Sequence, residues 1–469
     1  MFYWNLYEIN AYRTFHVFED TGLVLFNMYY NIHFPSIVHG LQYSVIGNHN
    51  GFVQLFVLLI FYFFPYVETL FFVKVFVLEI TGLVLFFVAR DLIKSDGIAL
   101  SLSILYFFNP GINAMMLSDY HHEIFFVLFY LLTFYFYMKE NKKLCLFSLI
   151  FLLGTMELAS IFAIALGLGL LAYEYLYDKN KKRIGLVYLM ILFSLAGLVI
   201  YNLIYSQLSY SYQSAYQSLP QYIKLLPWPF VPPGTNIYGS SATLRGIDIF
   251  VKYSLMVALF SFGFYSLEVA ITELIFIAPW LVALFTTSSD AFTALWQPHY
   301  SFVIGGIIAA TILGIKKLKG LKRSKKKMLF LKVMSIISII SIFEVYPLYL
   351  HSKLINNYYQ QFLFQTNPAL QKYYAQLNSI IEAIPENATL MTQNFFMAYG
   401  DIAKRRYVEV LNPNLTYFEP EYILVDFEPN ITLNIYGTDQ QKQFFYNYTA
   451  THSYKIYLSN GSAILYQKS

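Results

Sequence analysis

Charge is what this chain has least of. Only 12% of its 469 residues are Asp, Glu, Lys or Arg, against 57% hydrophobic and 20% aromatic. That balance excludes an ordinary soluble globular protein of this length and marks an integral membrane protein. Cysteine is nearly absent: Cys145 is the single thiol and lies in an apolar segment, so no disulfide framework is possible. Residues 1–18 mix Glu8, Arg13 and His16 with aromatics and lack the clean apolar core of a cleavable signal peptide. No basic run is interleaved with aromatics, which excludes nucleic acid as the expected partner. The net charge of +4 is better explained by topology.

What the chain has in quantity is apolar windows of membrane-spanning length, about 20 residues as helix. The expected architecture is an all-α polytopic membrane domain of about ten spans over 1–350, followed by a small extracytoplasmic α/β domain over 351–469. Spans fall near 66–90, 97–116, 122–138, 144–157, 158–177, 184–205, 248–266, 269–286, 299–315 and 328–350. The stretch 52–64 stops at Pro65 after three or four turns and reads equally as a re-entrant or interfacial helix. The short segments 144–157 and 158–177 read as two half-helices or a tight helical hairpin. Glu68, Lys74 and Glu79, inside 66–90, read as an intramembrane charge group that supports helix packing.

Lys and Arg crowd into alternate loops: Arg90 and Lys94; Lys139, Lys142 and Lys143; Lys179 to Arg183; Lys316 to Lys327. The positive-inside rule makes those loops cytoplasmic, leaving 109–121, 206–247, 287–298 and the tail external. Asn-x-Ser/Thr sequons at Asn387, Asn414, Asn430, Asn447 and Asn460 all follow the final span, with none earlier, and agree with an external tail. An Asn- and Thr-rich soluble segment also produces such triplets by chance. The tail opens with a Gln- and Tyr-rich helical stretch to about Ala383 and then carries β-rich runs at Thr389–Gln393, Tyr407–Leu411, Tyr422–Phe427, Tyr454–Leu458 and Ala463–Gln467. It has no Gly-rich phosphate loop or Ser-His-Asp spacing, so its expected role is lid, acceptor docking or surface contact. The hexapeptide Thr-Gly-Leu-Val-Leu-Phe occurs at 21–26 and 81–86 with unrelated flanks, which makes coincidence the better reading than duplication.

Ionisable residues at membrane depth mark sites by default, and Asp119-Tyr120-His121-His122-Glu123 is such a packet. Topology places Asp20, His49, Asp119, His121, His122, Glu123 and His299 on the external face. Each has a plainer reading. Asp20 and Asp119 are placed to cap the helices that follow them, and His49 and His299 suit interfacial imidazoles. Glu157, where two short helices meet, suits a half-helix cap or a buried amide partner.

The run Phe18-Glu19-Asp20-Thr21-Gly22, His49 before the stretch ending at Pro65, Asp119-Tyr120-His121-His122-Glu123, Met156-Glu157 and Gln297-Pro298-His299-Tyr300 resemble the membrane family called domain of unknown function 2079. In the tail, Ile384-Pro385-Glu386-Asn387-Ala388-Thr389 and Glu421-Tyr422-Ile423-Leu424-Val425-Asp426 are similar to that family's external end. The family is itself similar to the GT-C glycosyltransferases, which use polyprenyl-phosphate-linked sugars at the external face of the cell membrane. The resemblance implies that Asp20 activates the acceptor. It also implies that Asp119, His121 and Glu123 serve the donor phosphate or a divalent ion (Mg²⁺, Mn²⁺ or Zn²⁺), with His49, His122, Glu157 and His299 as further substrate contacts. One departure stands out: GT-C proteins begin with a span, whereas this chain reaches Asp20 with no apolar helix ahead of it. The expectation is either an upstream span or a shortened, inactive relative. A non-enzymatic transporter or envelope component is the competing class, although no repeat of the transporter kind is visible.

Overall fold

The computed structural model describes residues 19–33, 51–107, 109, 112, 115–116, 120–156, 159–178, 180–208, 300–320, 368–392, 396, 406–409, 419–426, 439–460 and 463–469. The described chain is mostly helical, with a small mixed sheet near its C-terminus. In the first part lie α1 (Glu19–His33), α2 (Gln54–Phe63), α3 (Val67–Ile93), α4 (Asp96–Phe107), α5 (Ile124–Met138), α6 (Lys142–Leu153), α7 (Ala159–Tyr173, extended by a π turn over Glu174–Asp178), α8 (Lys181–Leu208) and α9 (Tyr300–Gly320). Helix is what apolar sequence must adopt where water is absent, because it satisfies every backbone group within one segment.

Among the described helices, three stretches are long and apolar enough to cross a membrane: Val67–Ile93, Ala159–Asp178 and Lys182–Ile200. Helices α2, α4 and α5 are apolar but shorter; α5, at 15 residues, is about 22 Å long. The expected span 97–116 is corrected. Helix α4 ends at Phe107, shorter than the span expected, and beyond it Asn109 Oδ1 accepts from Ile112 N (3.3 Å). The expected spans 248–266, 269–286 and 328–350 lie outside the described residues.

Successive helices run antiparallel. On α3 and α4, Ser103 Oγ donates to Gly82 O (2.8 Å) and Tyr106 OH to Leu78 O (3.2 Å). Thr133 on α5 meets Ser148 on α6 (3.1 Å). Gly197 of α8 lies against Ser160 of α7, and Ile191 against Gly167. The segments 144–157 and 158–177 therefore form a helical hairpin that turns at Gly154-Thr155-Met156. Large apolar side chains remain exposed along one stripe of α3, namely Phe72, Phe76, Leu83 and Phe87, as suits a face turned to lipid. Lys74, on the same helix, is fully buried with its ammonium 5.8 Å from the Phe71 ring centre.

The two hexapeptide copies do different work. Thr21 accepts a hydrogen bond from Tyr120 N, while Thr81 donates to Val77 O in its own helix.

The C-terminal elements are α10 (Pro368–Glu382), β1 (Thr389–Thr392), β2 (Arg406–Glu409), β3 (Tyr422–Asp426), α11 (Asp439–Thr451), β4 (Tyr454–Asn460) and β5 (Ala463–Lys468). The sheet order is β2-β1-β3-β5-β4; β1 is parallel to β2 and β3, while β5 is antiparallel to β3 and β4. Every residue of β3 is buried, as the apolar run Tyr422–Val425 in a central strand requires. Tyr373 OH on α10 donates to the buried Asp426 at the end of β3.

Candidate functional site

The helix ends sort into two chemically opposite groups. At one end are the turns rich in Lys and Arg. Arg90 pairs with Asp96 (2.7 Å) across the α3–α4 turn, and Asp91 holds Lys94 (2.7 Å), Lys139 and the Tyr135 hydroxyl (2.9 Å). Arg183 reaches Asp178 (2.5 Å), the fully buried Glu174 (3.5 Å) and Met138 O (3.1 Å). Lys319, on the last turn of α9, donates to Ile93 O (2.8 Å). The turns after α3, α5 and α7 and the end of α9 thus share one end of the bundle, as their loop charges imply.

At the other end sits a buried polar cluster. Tyr120, His122, Glu123, Gln54, Thr21 and Thr155 are each no more than 2% exposed. Gln54 Nε2 lies 2.8 Å from His122 Nδ1. His121 Nδ1 lies 3.5 Å from Glu123 Oε2. Tyr120 N donates to Thr21 Oγ1 (2.8 Å), joining segments 99 residues apart. The turn that carries Gln54 is clamped from both sides: Val53 N donates to Gly154 O (3.2 Å), and Gly51 packs on the His122 ring. Helix α1 is fixed here too, since Tyr29 OH donates to Pro65 O (2.5 Å) and its ring meets Phe61 edge-on. The Tyr120 hydroxyl is fully buried and has no hydrogen-bond partner among the described residues. Burial pushes its phenol above the ordinary tyrosine range, and Glu123 adds to the effect.

The consecutive residues His121, His122 and Glu123 sit at this end of the bundle, with Gln54 against the His122 ring. Asp20 is the second residue of α1, inside the helix it was expected to cap, and the residue beside it, Thr21, accepts a hydrogen bond from Tyr120 N. Asp119, His49, Glu157 and His299 lie outside the described residues. Their chain neighbours Tyr120, Gly51 and Met156, and the first residue of α9, Tyr300, are described. The N-cap of α5 is Glu123, whose side chain makes no capping bond. Gln54, Thr21 and Tyr120 were not singled out by sequence. The usable signal was Gln54, a lone amide in the run Phe52-Val53-Gln54-Leu55-Phe56.

For a divalent ion, the described residues supply two donors at this end, the imidazole of His121 and the carboxylate of Glu123. No group of three or more His, Cys, Asp or Glu side chains able to hold a metal occurs among the described residues. Asp119, the third ligand that the resemblance implies, lies outside the described residues, and no step below runs through a metal. Of the sequons, Asn387 lies exposed in the turn before β1 and Asn447 is exposed on α11, where Thr449 is buried and bonded to Phe445 O. Asn460 donates to Ser379 (3.2 Å); Asn414 and Asn430 lie outside the described residues.

A family model described as a predicted membrane protein (DUF2079) matches residues 16–460. No curated protein matches the chain.

Proposed function

The chain belongs to the DUF2079 family of predicted membrane proteins, and from that premise we propose that it is a multi-pass, GT-C-like glycosyltransferase using a polyprenyl-phosphate-linked sugar at the external face. In this reading the lysine-rich end is cytoplasmic. The buried polar end, and the sheet-bearing segment 351–469 as a separate domain, are extracytoplasmic.

The observation that carries the reading is the Thr21–Tyr120 hydrogen bond. Asp20 and Asp119 are the residues immediately before each partner, so the segments bearing two candidate acids adjoin at one helix end. Asp20 as general base takes the acceptor hydroxyl proton. The acceptor oxygen bonds to the sugar's anomeric carbon as the bond from that carbon to the phosphate oxygen breaks, and the lipid phosphate leaves with the electron pair. Stabilising that anion falls to hydrogen-bond donors aimed at it. The His122 imidazole, held by Gln54, and the Tyr120 hydroxyl are suited to this, with Asp119, His121 and Glu123 setting the phosphate's position.

The test is transfer of a labelled sugar from polyprenyl phosphate by the full-length chain in liposomes. Asp20→Asn should lower turnover by roughly 10² to 10⁴ with donor binding little changed, and Asp119→Asn should weaken donor binding. Full activity in Asp20→Asn excludes it as the base. A wild type inert toward every donor returns the family to the transporter, envelope or inactive-relative classes.

A further inference from the structure

At the lysine-rich end of the bundle, far along the helices from the polar cluster, a cavity of ≈ 380 Å³ opens between the start of α6 and the start of α8. Helix α8 lines it with Lys182, Gly185, Leu186 and Leu189, spaced i, i+3, i+4 and i+7 along one helical stripe. Lys142, the first residue of α6, faces it from the other side, and Glu140 and Arg183 close its edge. Gly185 leaves room: a Cβ there would meet nothing within 4 Å.

The charges do not cancel. Glu140 accepts from Asn180 Nδ2 (2.7 Å) and pairs with Arg183, whose guanidinium is also held by Glu174 and Asp178. Neither Lys142 nor Lys182 has an acidic partner among the described residues. Both sit where a helix least favours a cation. Helices α6 and α8 start side by side here, capped by Asn141 (accepting from Leu144 N, 3.1 Å) and Asn180 (accepting from Lys182 N, 3.0 Å). Their positive dipole ends repel ammonium groups and favour an anion. A notch with two uncompensated amines at the mouth and Leu186 and Leu189 on its wall has the chemistry of a phosphodiester headgroup with an acyl chain below it.

We propose that this notch binds one anionic phospholipid, its phosphate between Lys142 and Lys182 and an acyl chain along Leu186 and Leu189. Basic pockets between helices at the cytoplasmic side of a bilayer are where such headgroups bind. The site lies at the opposite end from the proposed transfer chemistry, so a failure of either leaves the other standing.

The experiment uses the full-length chain in detergent, titrated with phosphatidylglycerol or phosphatidylcholine, with bound lipid counted by native mass spectrometry. Wild type should retain one phosphatidylglycerol in preference to phosphatidylcholine. Losing one lysine near a headgroup should weaken binding about fivefold, so K142Q/K182Q should lose roughly 25-fold. K142R/K182R should keep binding, which separates loss of charge from loss of fold. G185L changes no charge but fills the notch, and it too should lose the lipid. Lys143, exposed on α6 and outside the notch, is the control, and K143Q should bind as wild type does. Equal retention of the two lipids, unchanged binding in G185L, or a loss in K143Q as large as in K142Q/K182Q overturns the proposal. So does displacement of the lipid by millimolar inorganic phosphate, which would make the site one for free anion.

Discussion

Tyr120→Phe is the substitution on which stability and activity should part company. The Tyr120 hydroxyl is fully buried, its phenol is held neutral by burial, and it lacks a hydrogen-bond partner among the described residues. A buried hydroxyl left unsatisfied costs about 1–3 kcal/mol, and removing it while keeping the ring relieves that cost. The backbone bond from Tyr120 N to Thr21 Oγ1 is untouched by the change, so the segment should keep its place. The variant should therefore unfold later than wild type, by about 1–3 kcal/mol in a detergent unfolding titration. If the hydroxyl is kept to bind the donor phosphate, the same variant loses a hydrogen bond to a charged group, about 1.5–3 kcal/mol. Transfer of the labelled sugar should then fall roughly 10- to 150-fold. A variant destabilised by about 1 kcal/mol or more would mean that the hydroxyl is satisfied in the folded protein, and the reasoning fails. A more stable variant with unchanged transfer would leave the tyrosine as burial without function.

Gly154→Ala should cost about 1–3 kcal/mol by overpacking, because its Cβ would lie 1.9 Å from Cε1 of Phe52; unchanged stability and transfer would show that the turn carrying Gln54 is not clamped there. Arg183→Met should cost about 3–5 kcal/mol by leaving the buried Glu174 without its guanidinium, and adding Glu174→Gln should restore most of it; thermal unfolding of single and double variants decides. Residues 351–469 should express as a folded unit, and a random-coil circular dichroism spectrum would remove the proposed domain boundary. That unit should be labile in alkali. Tyr422, Tyr448, Tyr454 and Tyr466 all have pKa values raised above 10.0, chiefly by burial, so the neutral phenols favour folding. Their contribution is complete below the ordinary phenol pKa near 10 and is lost as pH rises through the raised folded values. A melting temperature flat from pH 8 to 12 would contradict this.

Where local pattern decides the conformation, the sequence was legible. The run Tyr422–Val425 is continuously apolar and lies in the buried central strand β3, and the tail's other β-rich runs supply the remaining strands of the sheet. Strand β4 runs two residues past the expected Leu458, with an irregularity between Ile456 and Leu458 that pairing with β5 imposes. Apolarity alone overruns the end of α4 at Phe107, because apolar residues recur beyond Asn109-Pro110-Gly111 at Ile112, Met115 and Met116. At the site, the packet Asp119–Glu123 announced itself by being polar between apolar stretches. The partnership of Gln54 with His122, 68 residues apart, could not be read from spacing. Nor could the Thr21–Tyr120 bond, since long-range pairing depends on how α1, the Gly51 turn and the α6–α7 corner meet.

The proposed function depends on Asp20 and Asp119 sharing one cavity open to the external side. The direct measurement is cross-linking of an Asp20→Cys, Asp119→Cys pair in a Cys145→Ser background, which removes the chain's single native thiol. A short, membrane-impermeant bis-maleimide is added to intact cells, with each single-cysteine variant as control. The expected result is an intramolecular bridge formed from outside the cell and slowed by polyprenyl phosphate. Complete labelling of each single cysteine without any bridge, or labelling of either only after lysis, would contradict a shared external site.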